Sequence, residues 1–63
     1  MKINQNVIYL TNASTEATVM IFTRNIEAIS DFEGKSKVYL TSGRIITVEE
    51  DRLRIIDKIN AEI

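Results

Sequence analysis

The chain contains no cysteine, no histidine, no proline and no tryptophan. Without cysteine it has neither a disulfide framework nor a thiolate metal site. Without histidine it lacks the commonest metal ligand and general base of proteins. Its two glycines, Gly34 and Gly43, lie far apart, which excludes a glycine-rich phosphate-binding loop. These absences leave few routes to catalysis, and we expect a protein that is not an enzyme and needs no cofactor.

Long apolar runs and an excess of basic charge are missing as well. No run approaches the roughly 20 apolar residues that a membrane-spanning helix requires, and residues 1–6 turn polar too early for a secretory signal. Eight basic and nine acidic residues give a net charge of −1, which provides no positive field for generic nucleic-acid binding. We therefore expect a cytoplasmic protein that does not insert into membranes, and nucleic acid is not the partner that we favour.

The 63 residues predict a single domain over positions 1–63. Such a length is near the lower limit at which one core can hold a fold together. Without cysteine and histidine, we expect neither disulfides nor a bound metal to stabilise the fold, while 44% of the residues are hydrophobic. Association with another chain is therefore the expected source of additional stability.

Four segments have the β-branched and aromatic composition of strands. We place them at about residues 7–11, 17–29, 36–41 and 44–48. The stretch Thr23-Arg24-Asn25 breaks the alternation of the second segment, as a bulge or a bend would. Residues 26–29 then either extend that strand or form a short separate one. Gly34 lies in the next loop, where we expect a positive φ.

The Ser42-Gly43 turn allows two registers for the last hairpin. A strict two-residue loop would pair Leu40 with Ile45 and place Thr47 among apolar side chains. A type I turn with Gly43 as a G1 bulge shifts the pairing by one residue. One face of the hairpin is then wholly apolar, which favours the bulged register. That face consists of Val38, Leu40, Ile46 and Val48.

An amphipathic helix is predicted over residues 49–61. Its first turn carries three acidic residues, where negative charge suits the positive end of the helix dipole, and Thr47 is a candidate N-cap. At about 100° per residue, isoleucines form one stripe with Leu53 at its margin. The stripe consists of Ile55, Ile56, Ile59 and Ile63. We expect Ile56→Asp to unfold the domain, because it would put an unpaired charge under the helix.

The predicted strands carry apolar side chains on both faces, whereas one helix covers only one face of a sheet. A solvated second face would alternate apolar with polar residues more cleanly. Either the sheet curls into a small barrel, or its second face meets another copy or a partner. The predicted fold is α+β: a small antiparallel sheet of four or five strands with one C-terminal helix packed on one face. We expect self-association, with a dimer favoured.

Five residues form the candidate surface for a partner or ligand. Lys37, Tyr39 and Ile45 share a face of the hairpin in the bulged register. Arg44 follows the turn and Arg24 lies in the break of the second segment, and arginine suits phosphate and other anions. The leading interpretation is a regulatory accessory module of phage or bacterial origin that acts by protein contact as a homo-oligomer. The alternative is an oligomeric ligand-binding protein for nucleic acid or an anionic small molecule.

Four segments in the second half of the chain resemble a known family. They are Ile26-Glu27-Ala28-Ile29, Val38-Tyr39-Leu40-Thr41-Ser42-Gly43-Arg44, Val48-Glu49-Glu50 and Ile55-Ile56-Asp57-Lys58-Ile59. They are similar to the small FlbD/SwrD-type flagellar and swarming-motility proteins, which have an Ile-Glu-x-Ile segment, a Thr-x-x-Gly-Lys-type hairpin, a Val-x-Glu step and a helix ending in Glu-Lys-Ile. The resemblance covers residues 26–59, about half of the chain. It implies a non-enzymatic accessory protein that acts by contact.

Overall fold

The computed structural model describes residues 7–61 of the chain. Five strands and one α-helix follow one another, with one turn of 3-10 helix between the second and third strands. The elements are β1 (Val7–Thr11), β2 (Thr18–Phe22), the 3-10 turn (Thr23–Asn25), β3 (Ile26–Phe32), β4 (Lys35–Leu40), β5 (Ile45–Val48) and α1 (Arg52–Ala61). Helix α1 lacks the length and the apolar character needed to cross a membrane.

The strands form two antiparallel sheets. β1 pairs with β2 in a two-stranded sheet, and β3, β4 and β5 form a three-stranded sheet in that order. The sheets meet where the chain leaving β1 pairs with the end of β5, through a bridge between Asn12 and Val48. The Ala13 N–H donates to the Thr47 oxygen beside this bridge, at 2.9 Å. This is the predicted α+β fold, and within residues 7–61 the sheets do not close into a barrel.

The break expected in the second segment separates two strands. The 3-10 turn Thr23–Asn25 ends β2, and β3 is therefore a separate strand rather than an extension of β2. A shift of register at Glu27 interrupts the pairing of β3 with β4, as a β-bulge does. Beyond this bulge β3 continues to Phe32, three residues past the predicted end at residue 29.

A two-residue turn explains the extra length of β3. Glu33 and Gly34 have φ values of 51° and 83°, and positive φ at both central residues is typical of a type I′ hairpin turn. The positive φ was predicted for Gly34 but not for Glu33. Because the turn takes only two residues, Phe32 pairs with Lys35 inside the sheet instead of lying in the predicted loop.

The β4–β5 hairpin adopts the predicted bulged register. Val38 pairs with Ile46, and Gly43 has a φ of 96°. The Gly43 N–H donates to the Leu40 oxygen at 2.9 Å, which closes the turn. Val38 and Val48 are fully buried, while Leu40 and Ile46 are partly buried. The wholly apolar face of the hairpin therefore points into the core.

One core lies between the two sheets and the helix. Its fully buried hydrophobic members are Ile8, Leu10, Ile21, Val38, Val48 and Ile55. They come from β1, β2, β4, β5 and α1, so the two sheets and the helix share a single apolar cluster. Ser36 is buried with them, and its hydroxyl has no hydrogen-bond partner in the described part of the chain.

Helix α1 begins three residues later than predicted. Asp51 caps it, because the Asp51 Oδ1 accepts a hydrogen bond from the Arg54 N–H at 2.9 Å. The first helical backbone bond runs from the Ile55 N–H to the Asp51 oxygen at 3.1 Å. The prediction of Thr47 as the N-cap was wrong, since Thr47 lies inside β5. Residue 49, the predicted start, lies in the connection between β5 and α1.

The buried side of α1 is narrower than the predicted stripe. Ile55 is fully buried and Ile59, one turn later, is partly buried. Ile56 is 40% exposed and Leu53 is 66% exposed, so the placement of Ile56 under the helix was wrong. Ile63 lies outside the described residues. The helix contacts β1 and β3. Ile56 is rotated about 100° around the helix axis from Ile55, which turns its side chain away from the buried side.

Glu50 ties the start of the helix to β1. Its Oε1 accepts a hydrogen bond from the Thr11 N–H and its Oε2 accepts one from the Thr11 hydroxyl, both at 2.9 Å. Burial raises the pKa of this carboxyl, but the hydrogen bonds from Thr11 and from its own N–H, with the charge of Lys58, lower the pKa more. The net pKa is below the ordinary 4.5. The ionised carboxylate is therefore part of the folded structure.

We expect Ile55→Asp to unfold the protein. The aspartate would be an unpaired charge in the core, at a cost of about 3–5 kcal/mol. Ile56→Asp is the matched control: the chemical change is the same, but the position is 40% exposed and cooperative melting should persist. Thermal melts followed by circular dichroism compare the two variants. If both variants lose the transition equally, the buried side of α1 is misassigned.

The lowered pKa of Glu50 predicts a pH-dependent contribution to stability. A carboxyl with a depressed folded-state pKa stabilises the fold above its unfolded pKa, and the contribution is lost as pH falls through the folded pKa. Glu50→Gln should therefore lower the free energy of unfolding at neutral pH, and its difference from wild type should shrink below about pH 4. Urea unfolding of both proteins from neutral pH down to about pH 3 measures this difference in the free energy of unfolding. Glu49→Gln, at an exposed neighbouring position, is the control. A deficit that stays constant down to about pH 3 would contradict the assignment.

Candidate interaction surface

The three-stranded sheet has one face against the core and one turned outward. Cross-strand pairing puts Ser36 and Val38 on the buried side, so that Lys37 and Tyr39 project to the other side. We call this second side the outer face. It is formed by Ala28, Ser30, Phe32, Lys35, Lys37, Tyr39, Ile45 and Thr47. Three of the five predicted surface residues therefore lie together.

Side chains of β3 and β4 contact one another on the outer face. The Lys37 ammonium lies 4.5 Å from the centroid of the Phe32 ring, within the range of a cation–π contact. The Ser30 hydroxyl donates a hydrogen bond to the Tyr39 phenol oxygen at 3.3 Å. Both contacts cross between neighbouring strands. They orient the two aromatic side chains on the surface of the sheet.

An apolar row crosses all three strands of the outer face. Ala28 pairs with Tyr39, and Tyr39 pairs with Ile45. Ile45 is 56% exposed, and the phenol hydroxyl is the one polar side-chain group of this row. Ordered apolar surface of this kind is typical of a site of protein contact.

Arg44 lies apart from the outer face, at an apolar groove between β2 and the tip of the β4–β5 hairpin. The groove has a volume of about 230 Å³. It is lined by Val19, Met20, Ile21, Phe22, Asn25, Leu40, Arg44 and Ile46. Both sheets contribute to its walls, so the groove marks a gap between them.

Arg24 lies against the two-stranded sheet. Its guanidinium carbon is 5.1 Å from the centroid of the Phe22 ring. Phe22 belongs to the outward-facing row of this sheet, beside the cross-strand pair of Tyr9 and Met20. Tyr9 is 55% and Met20 is 52% exposed. This pair makes a second exposed apolar patch.

The five predicted residues thus occupy three places. Lys37, Tyr39 and Ile45 share the outer face, Arg44 lines the groove, and Arg24 stacks on the two-stranded sheet. The alternation of side chains along a strand predicted the common face of the first three, because its period of two determines the face on which each side chain lies. The two arginines depend on how the sheets are arranged, which alternation does not determine.

Phe32 and the Tyr9–Met20 pair were not predicted as surface features. The sequence signal for Phe32 was the Glu33-Gly34 dipeptide, which resembles the Asp-Gly and Asn-Gly pairs of two-residue hairpins. The alternation of β1 and β2 predicts which face Tyr9 and Met20 lie on. Their cross-strand pairing depends in addition on the length of the loop between the two strands. Asn12 shapes that loop, since its Oδ1 accepts hydrogen bonds from the N–H groups of Ser14 and Thr15.

Residues 7–61 contain no group of three or more acidic side chains arranged to hold a metal ion. A charged depression beside the start of α1 is lined by Glu50, Arg54, Asp57 and Lys58, so its two acids are balanced by two bases. Compared with known protein families, with curated proteins and with solved structures, the chain gives no match. Surface geometry and chemistry therefore carry the functional assignment.

Proposed function

We propose that the protein is a small cytoplasmic accessory module that acts by protein contact, without catalysis, and works as a homo-oligomer, a dimer in its simplest form. The apolar side chains that remain outside the core carry this proposal. Tyr9, Met20 and Ile45 are each more than half exposed. They belong to ordered cross-strand rows rather than to isolated positions, as expected of surfaces that meet another protein.

The outer face is the surface that we assign to a protein partner. The row of Ala28, Tyr39 and Ile45 supplies apolar area, and Lys37 supplies a positive group beside it. Tyrosine is enriched in protein interfaces, where it combines a large ring with a polar tip. The hydrogen bond from Ser30 orients the Tyr39 ring in advance, which reduces the entropy that binding would cost.

The same face suits nucleic acid less well. Single-stranded nucleic acid stacks its bases on exposed aromatic rings, but the Lys37 ammonium already lies over the Phe32 ring. A net charge of −1 gives little of the phosphate attraction on which such binding depends. Protein contact is therefore the function that we propose for the outer face.

The resemblance to FlbD/SwrD-type proteins supports the same class of function. The resembling residues, 26–59, contain β3, β4, β5 and most of α1. This half of the chain carries the complete outer face. We propose that it supplies the regulatory contact, while β1 and β2 complete the core.

Self-association predicts a sedimenting species heavier than the 7.2 kDa chain. Sedimentation equilibrium over about 10–500 µM should give an average mass that rises towards at least twice that value, because mass action drives assembly. A mass that stays at one chain throughout would reject the homo-oligomer. Circular dichroism of the same samples serves as the control for folding.

The outer face should cross-link to its protein partner. A photoreactive phenylalanine analogue in place of Ile45, which is 56% exposed, should give discrete cross-linked products in cells that naturally make the protein. The control places the analogue at Asp57, an exposed position on α1, where no product is expected. Identical products from the two positions, or none from Ile45, would contradict the assignment.

A further inference from the structure

The two sheets have four edge strands in the described residues, of which β1 and β5 meet at the Asn12–Val48 bridge. The other two, β2 and β3, differ in the charge along their free edges. In the described residues β2 pairs with β1 alone, and β3 pairs with β4 alone. A free edge accepts a strand from another chain unless charge, proline or a bulge blocks it. β3 carries Glu27 at its bulge and Asp31 near its end. β2, by contrast, has five uncharged side chains and a regular register.

We propose that β2 pairs antiparallel with β2 of a second copy of the chain, about a twofold axis at Met20. This rests on the proposed self-association and names its interface. The two-stranded sheets then join into one four-stranded sheet, with every facing pair uncharged. The facing pairs are Thr18 with Phe22, Val19 with Ile21, and Met20 with Met20.

Charges just beyond the ends of β2 complement one another in this arrangement. Arg24 lies two residues after Phe22, and Glu16 lies two residues before Thr18. Both side chains are exposed. Arg24 lies in the 3-10 turn and Glu16 in the loop before β2, where its φ is 63°. Antiparallel pairing centred on Met20 brings these two segments of opposite copies together at each end of the interface, where their opposite charges attract.

The edge of β3 has no such complementarity. Antiparallel pairing of β3 with its own copy, centred on Ile29, would set Glu27 against Asp31. Like charges that face each other across strands are destabilising, and the bulge at Glu27 further interrupts the edge. Of these two edges, that of β2 therefore suits pairing with a second copy better.

The apolar groove lies beside this interface. Val19 and Ile21 line it from β2, and Leu40 and Ile46 line it from the hairpin. Facing residues in a sheet point to the same side. Val19 of the second copy therefore faces Ile21 and projects towards the groove. Pairing of β2 would thus remove apolar groove surface from water as well as satisfy backbone groups.

Single-cysteine variants test the location of the axis, since the chain has no cysteine of its own. Met20→Cys should form a disulfide-linked dimer on mild oxidation, because facing residues have Cα atoms about 4.5–5.5 Å apart. Leu53→Cys is the matched control, at a 66% exposed apolar position on α1, and should stay monomeric on a non-reducing gel. Equal cross-linking of both variants would overturn the proposal.

Charge exchange tests the pairing of Arg24 with Glu16. Arg24→Glu should raise the dimer dissociation constant about tenfold, because it places like charges at both ends of the interface. Glu16→Arg should do the same. The double variant should return to the wild-type value. If the double variant instead shows the summed loss of dimer affinity of the two single variants, the antiparallel register is wrong.

A lysine at the axis separates this inference from the proposed function. Met20→Lys puts two ammonium groups face to face and should give a folded monomer, whereas Ile45→Lys should leave the dimer intact. If the wild type is a dimer and Met20→Lys remains one, or if Ile45→Lys becomes monomeric, the β2 interface is wrong but the proposed self-association still holds. A monomeric wild type would overturn both.

Discussion

The hydrogen bonds of Thr11 are the constraint on which the rest of the structure depends. Its carbonyl oxygen accepts from the Glu49 N–H at 2.8 Å, while its N–H and hydroxyl both donate to the Glu50 carboxylate at 2.9 Å. The end of β1 is thereby held against the end of β5 and against the start of the helix. Asp51 follows directly and caps α1, and this start carries Ile55 into the core. Two sheets that pair separately thus share one core.

The same junction determines which surfaces stay open. It places the start of α1 a short connection after β5, and from there the helix contacts β1 and β3. No element of the described chain covers the outward rows of either sheet, which carry Tyr9, Met20 and Ile45. A chain of 63 residues gains little net stability from its own core. Contact between such rows and another protein would add apolar burial that the single chain lacks.

Local rules were enough to predict the features that depend on neighbours in sequence. Alternation and the Ser42-Gly43 turn predicted the bulged hairpin and hence a common face for Tyr39 and Ile45, because turn geometry and a period of two determine register. The rotation of the helix was not predictable, since Ile55 and Ile56 are equally apolar and only the narrow contact of α1 with the sheets distinguishes them. The position of Arg24 beside Phe22 likewise depends on the 3-10 turn.

Two open sheets with free edges risk unlimited assembly, and the distribution of charge along the edges of β2 and β3 bears on that risk. A contact between β2 of one copy and β3 of the next would leave the same two edges free, so that such contacts could repeat without closing. Pairing of β2 with its own copy instead uses up both β2 edges about one twofold axis. Among the edges that remain, that of β3 carries Glu27 and Asp31, which oppose further pairing. In the dimer that we propose, the uncharged edge of β2 would form the interface, and the acidic edge of β3 would oppose further growth of the assembly.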